Sequence, residues 1–502
     1  MTSSPSRFLP FVSILAFTCW VTCGCSTSSA AVPASGQSAQ TASAAAAAPS
    51  ATQGLPLNTV SYTTEKVEPV SAIAHRFLPQ SSLMLSAELE TQIRDVNHLG
   101  PKQLYVKKGQ ALLIPTIEPQ PIVEHSVPMQ RDEEVRAIYL TGAMAGSAKG
   151  LAIVKRWHEV GGNAVVFDIK DSDGSLSIPF EHPLAPHNRR VIPNLPKYVR
   201  YLHSMNMHAI ARIALFRDEH IARDHSELAV RSRSTGQPWR ENGKLVWTDT
   251  SNPKVQEYDI ELAKWVAKSG ADEIQFDYVR FPAEGNQADA KFYFQTGHPD
   301  WKRADVIADF LDRAYQQLHP EGVLVSLDVF GIMAWQRNVD LAHTGQDITR
   351  MAKYCDVLSP MIYPSHFFGM DGYKAPGDAP EHFIGESMDR FAVITAANGT
   401  ILRPWLQAFA WRTKAYSPDY IMRQVSTSRD RGGIGFLFWN ARNDYSKPYA
   451  AMPTMREHAD KYFGKHPAPA IAEAALKANS KTHARANVKL AKATQGPVST
   501  KR

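Results

Sequence analysis

The sequence predicts an α/β protein whose main domain is a (β/α)8 TIM barrel, preceded by a small α+β module. Three observations carry that prediction. Between residues 132 and 463, short β-rich runs alternate with helical segments, the pattern of a parallel sheet with crossover helices. Eight such runs can be counted, over a span within the size range of the barrel fold. Polar residues gather at the C-terminal ends of the runs, where barrels of this kind carry their sites.

The eight runs are Arg136–Leu140, Ala164–Ile169, Ala209–Leu215, Glu273–Val279, Leu324–Phe330, Val357–Tyr363, Pro404–Phe409 and Gly435–Trp439. Apolar spacing marks the helices between them. One runs from about Ser147 to Val160, with Leu151, Val154 and Trp157 on one face and Gly161-Gly162 as its stop. Another follows the start signal Asn252-Pro253, carries Val255, Tyr258, Leu262 and Trp265, and ends at Gly270. A doubly wound open sheet is the competing architecture, but it would show fewer strands and a Gly-rich first turn. The segment Phe216 to Thr250, after strand three, holds Arg217, Asp218, Trp239 and Trp247. A loop of that length in a compact domain reads as a wall or lid.

At 502 residues the chain exceeds a single core. Its formal net charge is +6, and a basic tail over 464–502 carries most of that excess. The rest is near neutral, which argues against a nucleic-acid partner. At the other end, Arg7, the apolar run Phe8 to Val21 and Thr22-Cys23-Gly24-Cys25-Ser26 read as a signal segment over 1–25. The run falls short of the ~20 residues that span a membrane. Gly24-Cys25 resembles the lipobox of bacterial lipoproteins, which implies lipidation of Cys25; an ordinary cleaved signal is the alternative. The expectation is an exported protein of the periplasm or cell envelope, held by a lipid anchor at the outer membrane. Residues 26–57 are rich in Ala, Ser and Thr and read as a low-complexity tether. Beyond the signal only Cys355 remains, so no internal disulfide framework is expected, and Tyr354-Cys355-Asp356-Val357-Leu358 suits a buried apolar cysteine.

Residues 58–116 contain Val70 to Phe77, then Asn97-His98-Leu99, then Val106 to Pro115 with a turn at Gly109. That succession resembles a LysM module, a family that binds N-acetylglucosamine-containing glycans such as peptidoglycan. Two departures stand out: Leu78 to Arg94 reads as an insert, and Glu68-Pro69 replaces the usual aspartate-threonine turn. A structural spacer is the alternative role.

Strand alternation puts Gln275 and Asp277 on one face, and likewise Ser326 and Asp328, with Phe276 and Leu327 toward the helices. Carboxylates turned into a barrel mouth need a polar site around them. Two on adjacent strands suit glycoside hydrolysis, one as nucleophile or base and the other as general acid. Tyr278, Tyr363, Trp405 and Trp439 offer flat faces for sugar rings. Asp168 and Lys170 are expected to bind hydroxyls, with Gln275, Gln407 and Asn440 also at strand ends, and Arg280 to pair with a carboxylate or orient Asp277. Asp171-Ser172-Asp173-Gly174 lacks the spacing of a calcium loop and reads as a turn. No zinc-helix motif, phosphate loop, nucleophile elbow or cysteine pair is present, so neither metal nor cofactor is expected.

Three stretches together resemble the Putative glycosyl hydrolase domain family: Asn163 to Lys170, Glu273 to Pro282 and Ser359 to Ser365. The resemblance covers about 135 to 450. It implies a TIM barrel of the glycoside-hydrolase clan, related to alpha-amylase-type barrels, with Asp277 as nucleophile and Asp328 as acid/base. Amylase-type barrels usually carry glutamate on strand five, where Asp328 stands. Gln407 on strand seven argues against the arrangement that places a nucleophile there. The expectation is a glycoside hydrolase acting on a cell-envelope or extracellular polysaccharide, with peptidoglycan one candidate. The alternative is a catalytically inactive glycan-binding or scaffold lipoprotein.

Overall fold

A computed structural model of the chain describes residues 58–465. The expected signal with Cys25, the tether over 26–57 and the tail from residue 466 lie outside the described residues.

Eight β/α units follow one another: β1 Arg136–Leu140, α1 Ala148–Glu159, β2 Ala164–Lys170, α2 Leu195–His203, β3 His208–Ala214, α3 Pro253–Lys268, β4 Glu273–Asp277, α4 Arg303–Leu318, β5 Leu324–Phe330, α5 Ile348–Met351, β6 Val357–Met361, α6 Pro380–Thr395, β7 Trp405–Gln407, α7 Pro418–Asp430, β8 Phe436–Trp439 and α8 Ser446–Glu457. Every strand pairs in parallel with its sequence neighbours, and β8 pairs with β1, closing the ring. The predicted (β/α)8 barrel is therefore borne out. Its thinnest joint lies between β6 and β7, paired only at Met361 and Trp405, beside a two-residue strand Ile401–Leu402 on β6.

Strand alternation divides the apolar residues into two cores. Ile138, Leu140, Val165, Phe167, Ile274 and Phe276 pack outward against the helices. Ala137, Tyr139, Ala164, Val166, Ile210, Trp405 and Leu437 fill the ring. The helices form where the sequence marks them. In α1, Ser147 caps the first turn by accepting from the Gly150 amide at 3.0 Å, worth about 1 kcal/mol. Trp157, fully buried, anchors its inner face, and the chain leaves through Gly161 in the left-handed region.

At the N-terminal end of the strands the interior is polar. Glu273 on β4 accepts from Arg403 at 2.8 Å and lies 3.0 Å from His208. Burial opposes its charge, but these partners outweigh it and push the Glu273 pKa down to about 2. This end reads as a stability device rather than a site.

The segment after β3 is a fixed wall. It contains a helix Glu219–Asp224 and a strand Arg231–Ser232 paired with Ala290–Lys291, and it buries Trp239 and Trp247. Ahead of the barrel, Val60–Thr63 pairs antiparallel with Ala111–Ile114, and two helices, Val70–Phe77 and Ser86–Val96, lie between them. Leu78 to Arg94 is thus no insert: it supplies the second helix, whose Leu89 and Ile93 pack with Val70, Ile73 and Leu112. Asn97 locks that helix to the last strand through two bonds with the Leu113 backbone, at 2.7 and 2.8 Å. No helix among the described residues is long and apolar enough to cross a membrane.

Candidate active site

The mouth is organised around Arg212, a residue the sequence analysis passed over. It lies within β3, opposite Asp168 on β2 and Gln275 on β4. Alternation turns it into the ring, where an isolated cation could not survive desolvation. It donates to Asp168 Oδ1 at 2.5 Å and to Asp277 Oδ2 through Nε at 3.1 Å and Nη2 at 2.6 Å. Its Nε also lies 3.9 Å from Asp328 Oδ2. One guanidinium therefore gathers carboxylates from three strands. A signal for it existed in the sequence: an arginine inside the otherwise apolar run Ala209 to Leu215 must face inward and must be paired.

Asp277 is the last residue of β4, Asp328 lies two residues before the end of β5, and the two do meet. Through the shared Arg212 Nε, their Oδ2 atoms lie no farther apart than the two distances of 3.1 and 3.9 Å combined, about 7 Å. Asp277 Oδ1 also accepts from the Tyr278 amide at 2.6 Å, an arrangement that Tyr278 makes by turning into the left-handed region with φ 53°. Asp328 is only 1% exposed and accepts from Trp405 Nε1 at 2.6 Å. Burial, with the Asp277 charge beside it, pushes the Asp328 pKa well above the usual carboxylate range, against the opposing pull of Arg212. Asp168 accepts from the Tyr139 hydroxyl at 2.5 Å, and burial raises its pKa to about 7.

Aromatic rings wall the site. Trp439, half-buried, stacks on Tyr139 with centroids 4.0 Å apart and meets Trp405 edge-on at 5.6 Å. Arg212 lies 5.4 Å from the Trp439 ring centre. Tyr363 is buried near both acids, which together with desolvation hold its hydroxyl far above its ordinary pKa.

Several expected site residues lie elsewhere. Lys170 is fully buried on the outer face of the sheet, 2.7 Å from Asp259 on α3 and 3.2 Å from Asp218, and it donates to the Leu215 carbonyl. The cause is a register shift after Asp168, which sets Lys170 opposite outward-facing Ile213. Gln275 sits one layer below the acids, fully buried, with Nε2 3.4 Å from Ser359 Oγ. Gln407 is spent on loops: it accepts from the Ser365 amide and donates to the Phe409 carbonyl. Asn440 likewise ties the Ala408 and Asp444 carbonyls together. Arg280 does not brace Asp277; that part belongs to Arg212, while Arg280 donates to the Phe281 carbonyl. Asp171 to Gly174 forms a turn closed by a 2.9 Å backbone bond. Among the described residues no cluster of three or more His, Cys, Asp or Glu is arranged to hold a metal ion.

A family model described as Putative glycosyl hydrolase domain matches residues 137–445, from β1 to the residue before α8, and does not extend to the N-terminal module. No curated protein matches the chain. Among solved structures, a hypothetical protein from Ruminiclostridium thermocellum is 36% identical over 38% of this chain and 97% of its own, with a TM-score of 0.34. The PgaB (BpsB) glycoside hydrolase domain from Bordetella bronchiseptica is 15% identical over 66% of this chain and 100% of its own, with a TM-score of 0.48. The spore cortex-lytic enzyme SleL from Bacillus megaterium is 12% identical over 82% of this chain and 88% of its own, with a TM-score of 0.40.

Proposed function

The chain belongs to the Putative glycosyl hydrolase domain family, and on that premise we propose that the barrel mouth cleaves glycosidic bonds in a polysaccharide, with Asp277 as nucleophile and Asp328 as acid/base. The observation that carries the reading is the unequal treatment of two neighbouring carboxyls. Asp277 receives two hydrogen bonds from Arg212 and one from the Tyr278 amide, which fix both of its oxygens in place. Asp328 is desolvated beside the Asp277 charge, which raises its pKa well above the usual carboxylate range. A hydrogen-bonded carboxylate facing a desolvated acid supplies one group to attack and one to protonate.

In the first step Asp277 attacks the anomeric carbon while Asp328 donates a proton to the departing glycosidic oxygen. In the second, Asp328 takes a proton from water as it displaces the sugar from Asp277. The limit of about 7 Å between the Oδ2 atoms accommodates the separation of about 5–5.5 Å that such a double displacement uses. Trp439, with Tyr139 stacked behind it, offers the sugar a flat face, and Trp405 fixes the Asp328 carboxyl. The wider reading is an exported envelope enzyme, supported by Arg7, Phe8 to Val21 and Gly24-Cys25, acting on peptidoglycan or a neighbouring polysaccharide. The LysM-like spacing of the N-terminal module supports a role in holding that glycan.

The test is sugar release from a panel of envelope polysaccharides by wild type, Asp277→Asn and Asp328→Asn. Each substitution is expected to cut turnover by about 10²–10⁴-fold while glycan binding persists. Variants that release sugar at the wild-type rate would end the proposal. A wild type that binds glycan without cleaving it would mark a binding protein instead.

A further inference from the structure

Two arginines at the rim stand without carboxylate partners. Arg280, three residues past Asp277, has its guanidinium 4.4 Å from the Phe330 ring centre, 4.9 Å from Trp247 and 5.2 Å from Tyr278. Tyr278 follows Asp277 directly and Phe330 lies two residues beyond Asp328, so this cation sits between the strand ends that carry both acids. Among the described residues no carboxylate comes within 4 Å of it, whereas Arg212 on the neighbouring strand has three. The side chain is only half-buried, so a ligand can reach it. Burial also lowers its pKa from the usual value, as expected for a desolvated cation short of anionic company.

The second is Arg412, beyond β7. Its guanidinium is 4.4 Å from the Trp411 ring centre and 4.9 Å from Phe368, again with no carboxylate within 4 Å among the described residues. It lines a cleft of about 540 Å³ with Lys374, Lys414 and Asp378. The carboxylate there is already engaged, since Asp378 Oδ1 accepts from the Lys414 and Ala415 amides at 2.7 and 3.0 Å. Ser365, which follows β6, shares this cleft, so it opens on the same rim as the acids.

Aromatic rings on the faces of a guanidinium leave its edge for donors, and although Arg280 gives Nη1 to the Phe281 carbonyl, each arginine keeps further N–H groups suited to a carboxylate. We propose that the mouth selects a saccharide bearing carboxylate groups, one received by Arg280 at the β4–β5 edge and another by Arg412 at the β6–β7 edge. The substrate class is thus an acidic polysaccharide, and the two arginines are its specificity determinants. The position of the cleaved bond between them rests on the hydrolase reading; the preference for carboxylates does not.

The experiment measures calorimetric binding of oligomers of polygalacturonate, alginate and hyaluronan to the full-length Asp277→Asn protein, each beside its carboxyl-reduced counterpart and with dextran sulfate as a further polyanion. At least one carboxylated oligomer is expected to bind about tenfold more tightly than its reduced form, in keeping with charge-assisted hydrogen bonds. Arg280→Gln and Arg412→Gln should each narrow that ratio, and Arg280→Lys should restore part of it. Arg412→Gln, on an exposed side chain, keeps the test open should Arg280→Gln fail to fold. Equal or absent binding of both forms, an unchanged ratio in the variants, or equal binding of dextran sulfate overturns the proposal. A carboxylate preference without sugar release from any glycan upholds it and sinks the hydrolase reading alone. Sugar release without the preference does the reverse.

Discussion

At the scale of single residues, Asp328 meets two demands that oppose each other. A general acid needs a raised pKa, and the burial that raises it here also burdens the fold. Its folded pKa stands above the unfolded value of about 3.9, so its favourable contribution is complete below that pH and is lost as pH rises toward the folded value. Asp328→Asn removes the titration while keeping the shape. The variant should therefore gain more thermal stability over wild type at pH 7 than at pH 4. Calorimetric melting of both proteins at the two pH values checks this; an equal difference at both would show that Asp328 titrates normally. Both acids were legible in the sequence because they stand at or near strand ends in a phase that alternation fixes. Arg212 was not, although it stands as close to the end of β3 as Asp328 does to that of β5, because a lone cation in an apolar run carries no motif. Its necessity follows only once Asp168, Asp277 and Asp328 are seen to converge on it.

At the scale of elements, β2 shows where a sequence pattern gives out. Alternation through Ala164 to Asp168 is regular, and Lys170 would share the face of Asp168 were the register unbroken. One extra residue reverses it and sends the ammonium to α3, where Asp259 and the loop residue Asp218 receive it. Nothing in local composition announces a bulge of this kind. The resulting ion triad pins β2 to α3, and burial raises the Asp259 pKa to about 7 even beside the lysine. Lys170→Met should lower unfolding free energy by about 3–5 kcal/mol at pH 7, because two buried carboxyls lose their counter-charge. The deficit should shrink as pH falls and Asp259 takes up a proton. Urea unfolding at pH 7 and pH 5 measures both effects, and a Lys170→Met, Asp259→Leu double variant should recover part of the loss. A uniform deficit at the two pH values would assign the effect to packing rather than charge.

At the scale of the whole molecule, the eight-unit barrel was readable because each strand is short, apolar and bounded by turn residues, and because Gly161 and Gly270 stop their helices where the spacing says they should. The N-terminal module was read less well: its second helix lay in a stretch taken for an insert, since Ser86 to Val96 mixes charged and apolar residues without a familiar motif. What no local pattern could reveal is how evenly the ring is fastened. A hoop is as sound as its poorest joint, and here that joint is the interrupted seam on β6, where the pairs Val357–Ile401 and Leu358–Leu402 are separated from Met361–Trp405. Trp405 is also the residue that tethers Asp328. Gentle heating should therefore part the hoop at this seam and silence catalysis several degrees before the circular-dichroism signal of the helices collapses. Inactivation and unfolding that coincide would show the seam to be as firm as the rest. Activity lost first would tie the working temperature to the stretch around Trp405, whose backbone clasps the ring while its indole tethers the acid.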